Sequence, residues 1–201
     1  MKFTKIKEPW EHFILERIFN KEQLDTLINY PTLKSDYKNA DGFRDTIGNR
    51  IFLNDKFVNN NPQFKDVMNF INSKTMWSYI LDIDLENTYL RPELIDDRYP
   101  FEHEVHTDHP DKLVSILIYI DKDDEKNLAS DLYIDENTHY KKLKWESNSG
   151  VGWVNETDNN KWHGFKSPKY KGKRRILILN WVNKDTWNDE TQLYMGYYKN
   201  D

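Results

Sequence analysis

The sequence predicts a mainly β fold with helices confined to its N-terminal part, and three observations carry that expectation. From about Asn87 onward, short runs rich in Val, Ile, Tyr and Trp are separated by clusters of Asp, Asn, Gly and Pro. Helix-start signals occur only before that point. Aromatic residues reach 14% of the 201 residues, although hydrophobic residues total only 37%, so an aromatic-rich core is expected.

The first helix is announced by Asn20-Lys21-Glu22-Gln23, a capping box in which Asn20 accepts from the third helical N–H and Gln23 reaches back. Phe19 and Leu24 flank the cap as a hydrophobic staple. Leu24, Leu27 and Ile28 form one apolar stripe that ends near Tyr30-Pro31. A second helix starts at Asn61-Pro62, a cap followed by proline at the first helical position. Phe64, Val67, Met68 and Ile71 follow at helical spacing, and residues 74–85 either extend this helix or form a third. Strands are expected near 87–92, 101–108, 112–121, 130–135, 140–146, 150–155, 162–166 and 173–183. So many short strands in succession indicate a sandwich or barrel, with jelly rolls among the options. No repeat, low-complexity tract or Pro/Gly/Ser-rich linker divides the chain, so one domain is expected over 1–201.

Composition excludes several chemistries. There is no cysteine, hence no disulfide, Cys-ligated zinc, iron–sulfur cluster or thiol nucleophile. Any metal site must draw on His and carboxylates. The net charge of −5 argues against duplex nucleic acid as a partner, since that needs a basic footprint. The N-terminal residues Met1 to Pro9 lack the apolar segment of a signal peptide. The longest apolar run, Ile116 to Ile120, is far too short to span a bilayer. A cytoplasmic protein without membrane association is therefore expected.

Three of the six histidines crowd into Phe101-Glu102-His103-Glu104-Val105-His106-Thr107-Asp108-His109-Pro110-Asp111. Side chains two apart on a strand share a face, so a His-x-Asp pair can bind one ion. With six His and 34 acids such pairs also arise by chance, and two lie end to end here: His106-Thr107-Asp108 and His109-Pro110-Asp111. Pro110 suits the turn after the strand, which favours the first pair. Alternation would place Glu104 on the same face as His106 and Asp108. His103 and His109 are expected to face solvent or to lie in a substrate loop. A second imidazole is available from His139 or from His163, in Trp162-His163-Gly164-Phe165, 57 residues after His106. Two imidazoles and one carboxylate, with open positions, are the donor set of non-haem Fe(II). The last strand puts Arg174, Ile176, Ile178 and Asn180 on one face and Arg175, Leu177, Leu179 and Trp181 on the other. A cation opening a strand of Ile and Leu is suited to gripping a carboxylate inside a barrel. Arg174 competes for that role with Lys173 and Arg175.

From about Tyr89 to Val182 these motifs resemble the Fe(II)/2-oxoglutarate-dependent oxygenases, in particular the prolyl-hydroxylase-like branch and its short phage-encoded members. His106-Thr107-Asp108 resembles the family's His-x-Asp. Lys112 to Asp121 is similar to the strand that follows it. Trp162-His163-Gly164-Phe165 resembles the distal His-Gly-Val segment, and Arg174 lies eleven residues beyond His163, where the co-substrate arginine belongs. Ser130-Asp131-Leu132-Tyr133 departs from the pattern, lacking its glycines.

The resemblance implies a double-stranded β-helix (jelly roll) with 1–86 as helical support bordering the active site, 87–183 as the β-helix core and 184–201 as a tail. It implies that His106, Asp108 and His163 hold Fe(II), and that Arg174 and Tyr119 bind 2-oxoglutarate. The implied activity is that of a dioxygenase consuming O2 and releasing succinate and CO2 while hydroxylating a small-molecule or peptidyl substrate, proline first among the latter. Two rivals stand beside it: a cupin-like metalloenzyme without 2-oxoglutarate, and a non-catalytic β-sandwich binding module. The first would leave Arg174 idle, and its usual His-x-His pair is missing from the sequence. The second requires that His106, Asp108 and His163 do not converge. Between the helices, Arg44 or Arg50 is placed to grip a substrate anion or to form surface salt bridges. Trp153 is expected in the core.

Overall fold

Alternation along the strands sorts side chains to two faces, and two antiparallel sheets follow from it. A computed structural model describes residues 1–31, 48–121, 127–155, 160–166, 169 and 172–187. Arg44 and most of the tail, from residue 188 on, lie outside the described residues.

The larger sheet contains β1 (Lys2–Ile6), β2 (His12–Glu16), β3 (Gly48–Phe52), β4 (Thr88–Asp97), β6 (Lys112–Tyr119), β9 (Ser149–Val154) and β11 (Arg174–Asn183). Their order is β1-β2-β9-β6-β11-β4-β3, with β11 paired to both β4 and β6. The smaller sheet runs β5-β10-β7-β8, from β5 (His103–His106), β10 (His163–Phe165), β7 (Asp131–Tyr133) and β8 (His139–Lys142). All eight expected strands are present. β1, β2 and the pairing of β3 are additions, because short runs such as His12 to Glu16 carry no period long enough to read. No described helix is long and apolar enough to cross a membrane.

The N-terminal helices cover one face of the larger sheet. α1 (Lys21–Asn29) has the expected reciprocal cap: Asn20 accepts from the Gln23 N–H at 2.9 Å, and the Gln23 side chain accepts from the Asn20 N–H at 3.1 Å. α2 (Asp55–Asn60) is capped by Asn54 and shows only Phe57 and Val58 as a stripe, too little to be read from sequence. Asn61-Pro62 opens a single 3-10 turn, and α3 (Lys65–Ile71) follows it; α4 (Lys74–Leu81) is separate. Leu27, Phe64, Val67, Met68, Ile71 and Trp77 pack with Leu177, Leu179 and Trp181 of β11. The other face of β11 contributes Ile176 to a second core, which also takes Tyr119, Leu132, Val151, Trp153 and Phe165 from both sheets. The two faces of β11 therefore serve two cores, as alternation required.

β4 was expected to stop at Pro92 and instead runs on to Asp97. The Pro92 carbonyl accepts from the Leu53 N–H, just past the last β3–β4 pair at Phe52 and Glu93. In a strand the N and O of one residue point to the same side, so the missing proline donor faces a position where β3 has already ended. Gly150 of β9 has a similarly local reason. A Cβ there would lie 2.4 Å from the Leu117 carbonyl oxygen, so the β6–β9 approach needs glycine.

Arg174 and Arg175 resolve into two different jobs. Arg175 lies on the helix side, where it grips Asp96 with Nε and Nη2 at 2.6 and 2.7 Å. It also donates to the carbonyls of Leu27 (2.9 Å), Tyr30 (2.7 Å) and Pro31 (3.0 Å) at the end of α1. These carbonyls would otherwise lack intrahelical partners, and a cation there complements the helix dipole. Replacing Arg175 with Met strands the buried Asp96 carboxylate and the α1 carbonyls. The variant is expected to lose roughly 3–5 kcal/mol of stability in urea unfolding.

Candidate active site

β5 and β10 are antiparallel neighbours with His106 directly opposite His163, which brings the two ring centroids to 4.3 Å. Asp108 follows β5 by two residues. Ligand atoms of His106, Asp108 and His163 all lie within 4.8 Å of one another. His106 Nδ1 donates to the Glu104 carbonyl at 2.7 Å, and His163 Nδ1 donates to the Lys161 carbonyl at 2.8 Å. A carbonyl can only accept, so each Nδ1 carries a hydrogen, and Nε2 is the ring atom that would meet a metal. This carbonyl anchoring is the usual support of a metal-ligating imidazole. Burial lowers the pKa of His163 to about 4, so the ring is neutral and able to donate near neutral pH.

Asp108 is buried. Burial pushes its carboxyl upward, but the charge of Lys112, with hydrogen bonds from Lys112 and Ser115, holds it far below the usual carboxylate range. Lys112 Nζ donates to Oδ1 at 2.7 Å, Ser115 Oγ donates to Oδ2 at 2.7 Å and Trp153 Nε1 donates to Oδ2 at 3.1 Å. Two imidazoles and an ionised carboxylate fit a non-haem Fe(II) ion.

The cluster opens into a cavity of about 370 Å³. Arg174 lines the same cavity together with Leu117, Ser130, Ile176 and Ile178. Its Nη1 donates to Asp97 at 2.7 Å and its Nε donates to the Leu128 carbonyl at 2.6 Å, with the guanidinium 4.0 Å from the Phe165 ring centre. Tyr119 stands behind this wall. Its hydroxyl accepts from the Ser130 N–H at 3.2 Å and its ring lies 4.7 Å from that of Trp145.

Several expectations change at this level. Glu104 is exposed, and His103 takes the cavity-facing position, stacked on His106 at 4.2 Å. The cause is a register shift: His103 and His106 sit opposite Phe165 and His163, so β5 carries one residue more than β10. The bulge breaks the alternation from which Glu104 was placed. His139 belongs to a separate pair with Asp131 at 3.1 Å. His109 and Asp111 form the turn expected of them and border the cavity mouth. Arg50 points inward toward Glu93 at 3.2 Å, with both side chains buried, rather than forming a surface salt bridge. Lys112, Ser115 and Trp153 were not assigned to the site in advance. Ser115 was readable, since it shares a strand face with Leu117 and Tyr119, whereas the Trp153 bond depends on tertiary placement.

No protein-family model and no curated protein matches the sequence. Solved structures do match. An oxidoreductase of the 2OG-Fe(II) oxygenase family from Burkholderia pseudomallei superposes with a TM-score of 0.61, over 86% of this chain and 87% of that one, at 12% identity. The fold is that of the 2OG-Fe(II) oxygenases. A prolyl hydroxylase from Trichoplax adhaerens, in complex with a peptide fragment of the hypoxia inducible factor oxygen degradation domain, gives 0.54 over 90% and 86% at 14% identity. The viral collagen prolyl hydroxylase of Paramecium Bursaria Chlorella virus-1, in its 2OG complex, gives 0.51 over 86% and 96%, also at 14% identity. The oxygenase fold is thus shared at sequence identities too low to carry site residues across.

The three donors to Asp108 come from two different strands, and their removal should register in metal binding before it registers in folding. Ser115→Ala and Trp153→Phe are each expected to weaken Fe(II) or Mn(II) affinity by about 10–100-fold in anaerobic titration.

Proposed function

We propose that this protein is an Fe(II)- and 2-oxoglutarate-dependent hydroxylase. The observation that carries the reading is one cavity that holds both the His106–Asp108–His163 cluster and the buried guanidinium of Arg174. A metal site alone would equally suit a cupin-like enzyme. The added arginine, facing inward among Ile176 and Ile178, gives a second anchor for an acid that reaches from the metal into the barrel.

In this reading His106, Asp108 and His163 hold the ion. Bound Fe(II) and 2-oxoglutarate, with dioxygen, supply hydroxylation of an unactivated C–H bond and release succinate and CO2. Arg174 receives the distal carboxylate of 2-oxoglutarate, its plane set by Asp97, Leu128 and Phe165. Tyr119 acts through Ser130, whose N–H it accepts at the cavity wall. Leu117, Ile176 and Ile178 line the passage with apolar surface and limit water. The substrate is a small molecule or a peptidyl side chain, the latter being what the Trichoplax neighbour is named for binding as a peptide fragment.

Calorimetry of the Mn(II)-loaded protein tests the co-substrate assignment. Wild type is expected to bind 2-oxoglutarate, and Arg174→Met to bind it at least roughly 30-fold more weakly, the effect of truncating one side of a buried charge pair. Absent binding in wild type, or equal binding by the variant, would refute it.

A further inference from the structure

The sheet that carries Arg174 presents, further along β4 and β11, a second set of charges that the metal and co-substrate do not use. Arg91 and Glu93 alternate inward on β4, and Arg50 faces inward from β3 beside them. Arg91 Nη1 lies 2.8 Å from Glu93 Oε1, and Arg50 Nε lies 3.2 Å from Glu93 Oε2. Both guanidiniums lie against the Phe52 ring, at 5.3 and 5.8 Å, and Arg91 also meets Trp187 at 5.4 Å. Both arginines are 4% exposed, and both border the cavity.

This group is tied to the metal cluster. Asn180 Nδ2 donates to Glu93 Oε1 at 3.3 Å, Asn180 Oδ1 lies 3.2 Å from Ser115 Oγ, and Ser115 donates to Asp108. Arg91, Asn180 and Ser115 occupy one row across β4, β11 and β6. The arginines are therefore near neighbours of the metal ligands along the wall.

We propose that Arg91 and Arg50, braced by Glu93 and Asn180, seat the carboxylate of a small-molecule substrate beside the metal cluster. The proposal rests on the hydroxylase reading and names its substrate class. Two buried guanidiniums around one carboxylate present a planar, donor-rich surface suited to a second carboxylate. A dianionic phosphate would meet the charges of both Glu93 and Asp108, so a monoanion fits better. Cavity volume agrees: about 370 Å³ is at the small end of ligand pockets and must hold 2-oxoglutarate as well. What is left suits a free amino acid or a hydroxy acid.

The test uses the full chain loaded with Mn(II) and 2-oxoglutarate. Binding of the proteinogenic amino acids and short hydroxy acids, each against its primary amide, is read by thermal shift and calorimetry. At least one acid is expected to bind about ten-fold or more tightly than its amide. Arg91→Gln should abolish that preference while leaving 2-oxoglutarate affinity unchanged, and Arg91→Lys should restore part of it. A purely structural triad would lower thermal stability without an acid-over-amide preference ever having existed in wild type. Acids and amides binding alike, or no acid binding, would overturn the proposal even if Arg91→Gln fails to fold. An acid preference in a protein that does not bind 2-oxoglutarate would sink the hydroxylase reading and keep the seat.

Discussion

The buried, ionised carboxylate of Asp108 is the constraint on which the site depends. Its donors come from Lys112 and Ser115 on β6 and from Trp153 on β9, and it faces His163 on β10 of the other sheet. A carboxylate taken out of water is strongly unfavourable unless hydrogen bonds and opposite charge replace the water. The jelly roll supplies that replacement from strands far apart in sequence. The same contacts that make burial tolerable also fix where the oxygens point. Anchoring both imidazoles by Nδ1 to backbone carbonyls completes a set of three donors aimed at one place.

β11 divides its two opening arginines between the fold and the cavity. Arg175 ties the end of α1 to Asp96 on the helix side, while Arg174 faces the inner core above Phe165. Alternation alone separates them, and a one-residue slip of β11 would exchange their roles. The pairing of β11 with β4 over ten residues makes such a slip costly, because every apolar side chain of the strand would change cores.

Legibility in the sequence followed the range of the signal. The α1 capping box and the split faces of β11 are local patterns, and both appear as the sequence implied. His106, Asp108 and His163 were nominated from spacing and resemblance, and the fold brings them together. The β5 bulge was not legible, because one extra residue leaves no mark in composition, and so His103 rather than Glu104 faces the cavity. The strand expected near 87–92 runs on to Asp97, and the missing donor of Pro92 falls on the side where β3 has already stopped. Arg50, Arg91 and Glu93 escaped notice as a group because their proximity depends on β3 pairing with β4 across some forty residues of chain.

The central claim is that the His–Asp–His cluster and Arg174 act together on one metal-bound acid. Anaerobic absorbance of the protein, titrated with Fe(II) and then with 2-oxoglutarate, tests it most directly. A visible charge-transfer band is expected in wild type, absent in His163→Ala and displaced to higher 2-oxoglutarate concentration in Arg174→Ala. Iron binding with no band on adding 2-oxoglutarate would contradict the account and favour a metalloenzyme that uses the same three ligands without that co-substrate.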